Sequence, residues 1–222
     1  MLDFSVNNRI DKVVFFSTIQ VLGSELQGLI NESSPFHPVN DYAANHVMAE
    51  IYTEMYARRG LLKAVSVRPT NVYGHFTLPT INRWSLVPAC FCKEAFYNKQ
   101  IILRSSGKQI RNFVSVDSVA KATSALLSHF PDSYDILNIG SSCHMSILEV
   151  AQMVKKVHDE IYSEPAQLIL QGKQPEQENL FEISLHKLEE RYGIRQHLGS
   201  EELQRQIRLI FSDLEKRPLS GS

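Results

Sequence analysis

Two hydrophobic rhythms alternate along the chain. Val13 to Phe16 and Lys63 to Val67 are short apolar runs with the composition of strands buried on both faces of a parallel sheet. Between them, from Asp41 to about Arg59, neither glycine nor proline intervenes, and Ala44, Met48, Ile51 and Met55 recur at helical spacing as one apolar stripe. Met1 to about Asn8 has the pattern of a helix end, and Gly23 to Pro38, polar and bounded by proline, predicts a loop.

The second half continues the alternation. Helices are predicted over 88–98 and from Asp117 to about His129, and strands over 101–103, 113–116 and 135–139. Ser146-Ile147-Leu148-Glu149 is a capping box that opens a helix reaching about Ile161. Ala166 to Leu170 reads as an edge strand, Gly172 to Asn179 as a polar loop, and Ser184 to Arg191 and Ser200 to about Lys216 as terminal helices. Pro79 to Pro88, with Arg83 and the only tryptophan, Trp84, reads as irregular. Strands alternating with helices predict an α/β fold.

Parallel sheets bind ligands at the carboxyl ends of their strands, so the polar residues just beyond each run carry the candidate chemistry. Ser17 and Thr18 follow the first run, as hydroxyls of a site or as ordinary turn formers. Tyr42 and His46, four apart, share a face at the start of the long helix; on spacing alone the favoured reading is a surface pair. Asn71 lies beyond the Lys63–Val67 run, as a ligand contact or a turn residue. Arg111 stands before the alternating Phe113-Val114-Ser115-Val116, and a guanidinium fork there suits a diphosphate as well as solvent.

Composition narrows the partners. With 23 basic and 24 acidic residues the formal charge is -1, which gives no electrostatic case for nucleic acid or an anionic membrane. No apolar run approaches a membrane span, and the first residues lack the basic start and apolar core of a signal peptide. Three cysteines, Cys90, Cys92 and Cys143, lack the second pair that a structural zinc needs and read as reduced thiols of a cytoplasmic protein.

The order of these motifs resembles that of the extended short-chain dehydrogenase/reductase family, the NAD-dependent epimerases and dehydratases of nucleotide sugars. The strand ending in Ser17-Thr18, the proline-led helix with Tyr42, Arg68-Pro69-Thr70-Asn71-Val72-Tyr73-Gly74, Arg111-Asn112-Phe113-Val114-Ser115-Val116-Asp117 and Asn138-Ile139-Gly140-Ser141 match the family's motifs in sequence order. The resemblance implies Tyr42 as acid/base, Thr18 as its hydrogen-bonding partner and His46 in the position of the family's lysine. It also implies Asn71 and Arg111 as sugar-nucleotide contacts, with Ser17 and Tyr42 beside the cofactor, NAD or NADP. The substrate class it implies is a nucleotide-diphosphate sugar.

The departures bear on activity. The family's Tyr-x-x-x-Lys is Tyr42-x-x-x-His46 here, and no tyrosine in the chain has lysine four residues on. None of the ten glycines lies three residues from another, so the Gly-x-x-Gly-x-x-Gly cradle for the dinucleotide is absent from these 222 residues. The expected fold is therefore a partial Rossmann-like parallel sheet, its first half missing, over residues 1–75, with a smaller C-terminal α/β substrate lobe over 76–222 that interleaves with the last Rossmann elements. The strand at Val13–Phe16 then has an open apolar edge, which predicts an oligomer or a partner chain covering it, and the resemblance implies a homodimer through the Tyr42 helix, using Ala44, Met48 and Met55. Two functions follow: an epimerase/dehydratase-like protein acting on or binding nucleotide-diphosphate sugars, or a catalytically inactive family remnant serving as a binding or interaction module.

Overall fold

The computed structural model describes residues 1–75, 84–172, 180–195 and 199–216. Arg83 and the polar loop expected up to Asn179 fall largely outside these residues. In chain order the elements are α1 (Leu2–Asn7), β1 (Lys12–Phe16), a short 3-10 helix (Ile19–Leu22), β2 (Gly28–Ile30), α2 (Asp41–Arg58), β3 (Lys63–Pro69), β4 (Asn71–Tyr73) and α3 (Ala89–Asn98). They continue with β5 (Gln100–Leu103), β6 (Ile110–Ser115), α4 (Val116–Ser128), β7 (Tyr134–Ile139), β8 (His144–Ser146), α5 (Ile147–Ile161), β9 (Gln167–Leu170), β10 (Phe181–Ile183), α6 (His186–Tyr192) and α7 (Ser200–Lys216). The α/β expectation holds, and the chain folds as two interleaved units.

The first unit comprises Met1–Asn71, Ser118–Ser141 and Leu180–Gln196. Its centre is a parallel sheet in the order β1-β3-β7, paired from Lys12↔Lys63 to Phe16↔Val67 and from Ala64↔Tyr134 to Pro69↔Ile139. Residues paired in register point to the same face, so Phe15, Ser66 and Ile136 share one side, as do Arg68 and Asn138 further along it. β3 has the buried run expected of a central strand. In β1 only Val13 is buried, and Phe16 is 48% exposed: the strand expected to be covered on both faces lies at the edge of the sheet, paired with β3.

Helix α2 starts where Asn40 caps it, its Oδ1 accepting from the Ala43 N–H at 2.8 Å. It buries Ala43, Glu50, Thr53 and Ala57. The stripe read from the sequence faces outward, with Met48, Ile51 and Met55 all exposed. Small and polar residues seat this helix because a polar layer, described below, lies beneath it. The segment predicted as a loop between Gly23 and Pro38 also holds β2, which pairs in parallel with the distant β10.

The second unit comprises Val72–Asp117, Ser142–Asn179 and His197–Ser222. Helices α3, α5 and α7 meet in its core, where Phe91 and Cys92, Val150, Val154 and Val157, and Leu203, Ile207, Ile210 and Phe211 pack together. Ser146 caps α5 in the predicted box, its hydroxyl accepting from the Glu149 N–H and the Glu149 carboxylate accepting from the Ser146 N–H at 2.7 Å. The parallel pair β5-β9 and the sheet β4-β6-β8, antiparallel between β6 and β8, complete the unit. Among the described residues no helix is long and apolar enough to cross a membrane.

Candidate active site

Tyr42 is the second residue of α2, where the Asn40 cap fixes the direction of the first turn. Its ring is 54% exposed and meets His46 edge-on, with centroids 4.5 Å apart. On its other side His46 faces Phe15 of β1 at 5.7 Å. The imidazole thus fills the space between the tyrosine and the edge strand, and its Nδ1 is buried without a hydrogen-bond partner. The pair that helical spacing placed on one face is in direct contact.

Ser17 and Thr18 leave the sheet directly after β1, and Ser17 donates its N–H to the Val67 carbonyl as a last rung of the ladder at 2.8 Å. Thr18 is extended and caps the 3-10 helix, its Oγ1 accepting from the Gln20 N–H at 3.3 Å. The Ser17 side chain turns inward and donates to the carboxylate of Glu50.

Glu50 lies two turns beyond Tyr42 on α2, and sequence reading missed its role. Its Oε2 accepts from Arg68 Nη2 at 2.7 Å and its Oε1 from Arg68 Nε at 3.0 Å, a two-pronged ion pair with both side chains 2% exposed. Arg68 Nη1 donates to the Glu32 carbonyl at 3.3 Å, and Phe36 lies over the guanidinium at 5.1 Å. The Glu32 side chain in turn accepts from the Asn138 N–H at 2.9 Å. A glutamate mid-helix among Ala43, Thr53 and Ala57 was the available signal, since a charge on a buried helix face requires a partner.

A cleft of about 470 Å³ lies above this layer, lined by Glu32, Phe36, Glu54, Arg58, Arg68 and Tyr134 among others. Burial pushes the Tyr134 phenol up to about 12, against a lowering bond that it donates to Ser66. On the opposite face of the sheet Asp135 binds α6, accepting from Tyr192 at 2.8 Å and pairing with Arg191 at 2.8 Å and with Lys187. Burial, together with the Asp135 carboxylate, holds the Tyr192 phenol well above its ordinary range.

Asn71 opens β4 at the carboxyl side of β3. Gly74, which ends the same motif, is required by close approach: a Cβ there would stand 2.6 Å from Val116 Cγ1. Arg111 belongs to the second unit, as the second residue of β6, where its Nη2 donates to Gln109 Oε1 at 2.9 Å. Among the described residues no cluster of His, Cys, Asp and Glu could hold a metal ion.

Two residues bear on the dinucleotide that the resemblance implies. The Ser17 hydroxyl, 4% exposed, is committed to Glu50, and the position of the family's lysine holds an imidazole wedged between two rings. These residues do not fit a nicotinamide ribose. They do leave the exposed Tyr42 phenol able to meet a hydroxyl.

Residues 1–140 match the model of the NAD dependent epimerase/dehydratase family. The dTDP-D-glucose 4,6-dehydratase of Homo sapiens is 30% identical over 156 residues, 68% of this chain and 43% of that protein. A putative UDP-glucose 4-epimerase of Methanocaldococcus jannaschii is 30% identical over 147 residues, 66% of this chain and 47% of that protein. The chain thus spans less than half the length of these curated relatives. Among solved structures, a dTDP-glucose 4,6-dehydratase from Streptomyces venezuelae with NAD bound superposes with a TM-score of 0.80 at 20% identity, over 98% of this chain and 65% of that one. The UDP-glucose 4-epimerase of Thermotoga maritima with UDP-glucose gives 0.79 at 19%, over 97% and 67%. At that identity the structures speak for the fold, and the family match over residues 1–140 carries the conclusion: this chain belongs to the NAD dependent epimerase/dehydratase family.

Proposed function

We propose that the chain binds a nucleotide-diphosphate sugar and carries the sugar-facing half of an NAD(P)-dependent epimerase/dehydratase-type site. The observation that supports this most is Tyr42, a half-exposed phenol on the first turn of α2, held edge-on by His46 at 4.5 Å. Tyr42 is the proton acceptor and donor for a sugar hydroxyl, and Thr18 the hydroxyl that binds the same oxygen. By family resemblance Asn71 contacts the sugar nucleotide and Arg111 its pyrophosphate, where a guanidinium supplies two parallel charge-assisted bonds. NAD or NADP supplies hydride chemistry in such proteins when bound, and Ser17 and His46 of this chain do not fit it.

A second reading, a binding module without turnover, is favoured by one residue. An imidazole packed between the Tyr42 and Phe15 rings lacks the long, three-donor arm with which a lysine holds a ribose. Both readings share the sugar-nucleotide site. For a macromolecular partner we propose a second copy of this chain against the outward face of α2, or a partner chain covering the open edge of β1. The exposed Met48, Ile51, Tyr52 and Met55 support the first.

Saturation-transfer NMR with UDP-glucose and UDP separates these ideas from no site at all. The reading predicts saturation of glucose protons that is lost in Y42L. Saturation of the uridine alone, unchanged in Y42L, would remove Tyr42 from the site.

A further inference from the structure

We infer that Glu50 is a positioning residue for this site: one buried carboxylate fixes the Ser17-Thr18 turn, the Tyr42 helix and the strand leading to Asn71 relative to one another. The inference rests on the proposed reading of Thr18 and Tyr42 as the groups that meet the ligand.

Three segments converge on the Glu50 carboxylate. Ser17, the residue before Thr18, donates its hydroxyl to Oε1. Arg68, three residues before Asn71, donates Nε to Oε1 at 3.0 Å and Nη2 to Oε2 at 2.7 Å. The carboxylate itself stands on α2 below Tyr42 and His46, the three residues forming a stripe at i, i+4 and i+8. A fourth segment joins through the other side of the guanidinium, which binds the Glu32 carbonyl and lies under Phe36.

Stability alone does not account for this choice of residues. A buried ion pair loses two hydration shells, and apolar residues of the same volume are often as stable or more so. What an apolar pair cannot do is direct a serine hydroxyl or fix a guanidinium in one plane. Three charge-assisted bonds on two oxygens set the distance and rotation of each partner, the requirement of a site whose hydroxyl and phenol must meet one oxygen.

The test compares the wild-type chain with E50Q and with E50L/R68M, which removes both charges. Each is followed by thermal melting, by the resonances of the Thr18 methyl and the His46 ring protons, and by titration with UDP-glucose. E50Q leaves Arg68 without its carboxylate and lowers the melting temperature. E50L/R68M recovers it, yet its Thr18 and His46 resonances stay displaced and UDP-glucose binds at least tenfold more weakly. Wild-type resonances in a double variant of wild-type melting temperature would overturn the inference. Should the double variant fail to fold, S17A decides: it leaves the ion pair whole and must move the Thr18 methyl, and an unmoved methyl overturns the inference. If UDP-glucose binds no form of the protein, the functional reading fails while the resonances still decide the role of Glu50.

Discussion

Tyr42 and His46 hold their rings edge to face, 4.5 Å apart, with the imidazole Nδ1 buried and unpartnered. The histidine acts here as an aromatic wedge between Tyr42 and Phe15, since it holds its neighbours by ring contact. An unsatisfied buried nitrogen costs on the order of 1 kcal/mol or more. H46F keeps the wedge and removes that cost, so we expect stability to rise by about 1 kcal/mol, a melting shift of roughly 2–4 °C for a chain of this size. A loss of similar size in scanning calorimetry would mean that Nδ1 does make a bond in solution.

Gly74 ends the Asn71-Val72-Tyr73-Gly74 motif against the first residue of α4. G74A forces its Cβ to within 2.6 Å of Val116 Cγ1, so the loop or the helix must shift. Overpacking of this kind costs about 1–3 kcal/mol, and chemical denaturation of G74A against wild type measures it. G74A/V116A should recover part of the loss.

How much of this was legible in the sequence depends on the kind of force involved. Local signals survived folding: the stretch read as a helix from Asp41 is α2, the capping box opens α5, and the run at Val13 is β1. The outward turn of Met48 and Met55 was not legible, because periodicity gives a stripe without saying which side of the helix the sheet takes. Sheet polarity decided it. Ser66, Arg68 and Tyr134 line the face under α2, so the helix turns Glu50 and Thr53 inward. The Glu50–Arg68 pair joins residues 18 apart and its Ser17 partner 33 away, contacts that no local pattern encodes. Tyr42 and His46 lay within one helical turn, so spacing was enough to pair them.

Alkaline pH should unfold the first unit partly through Tyr134. Its phenol titrates near 12 in the fold against about 10 when unfolded, so between these values the unfolded chain has released a proton that the native state still holds. Stability from this group is therefore full below about pH 10 and is lost as pH rises toward 12. Y134F should flatten the fall in melting temperature across that window; an unchanged slope would assign the fall to other tyrosines.

If a second copy covers the outward face of α2, a charge there should separate the copies. Sedimentation of the wild type is expected to give twice the chain mass, and M48E the mass of one chain. Met48 is 56% exposed in the single chain, so M48E should leave its fold stability within about 0.5 kcal/mol. A wild type that sediments as one chain at all concentrations would rule out the dimer.

Sugar-nucleotide binding is tested most directly by calorimetric titration of the purified chain with UDP-glucose, repeated with Y42F and R111M. Saturable binding is expected, weakened several-fold by loss of the phenol's hydrogen bond and by roughly 10- to 100-fold by loss of a guanidinium's charged bonds. Absence of heat with the wild type, or equal affinity in R111M, would contradict it.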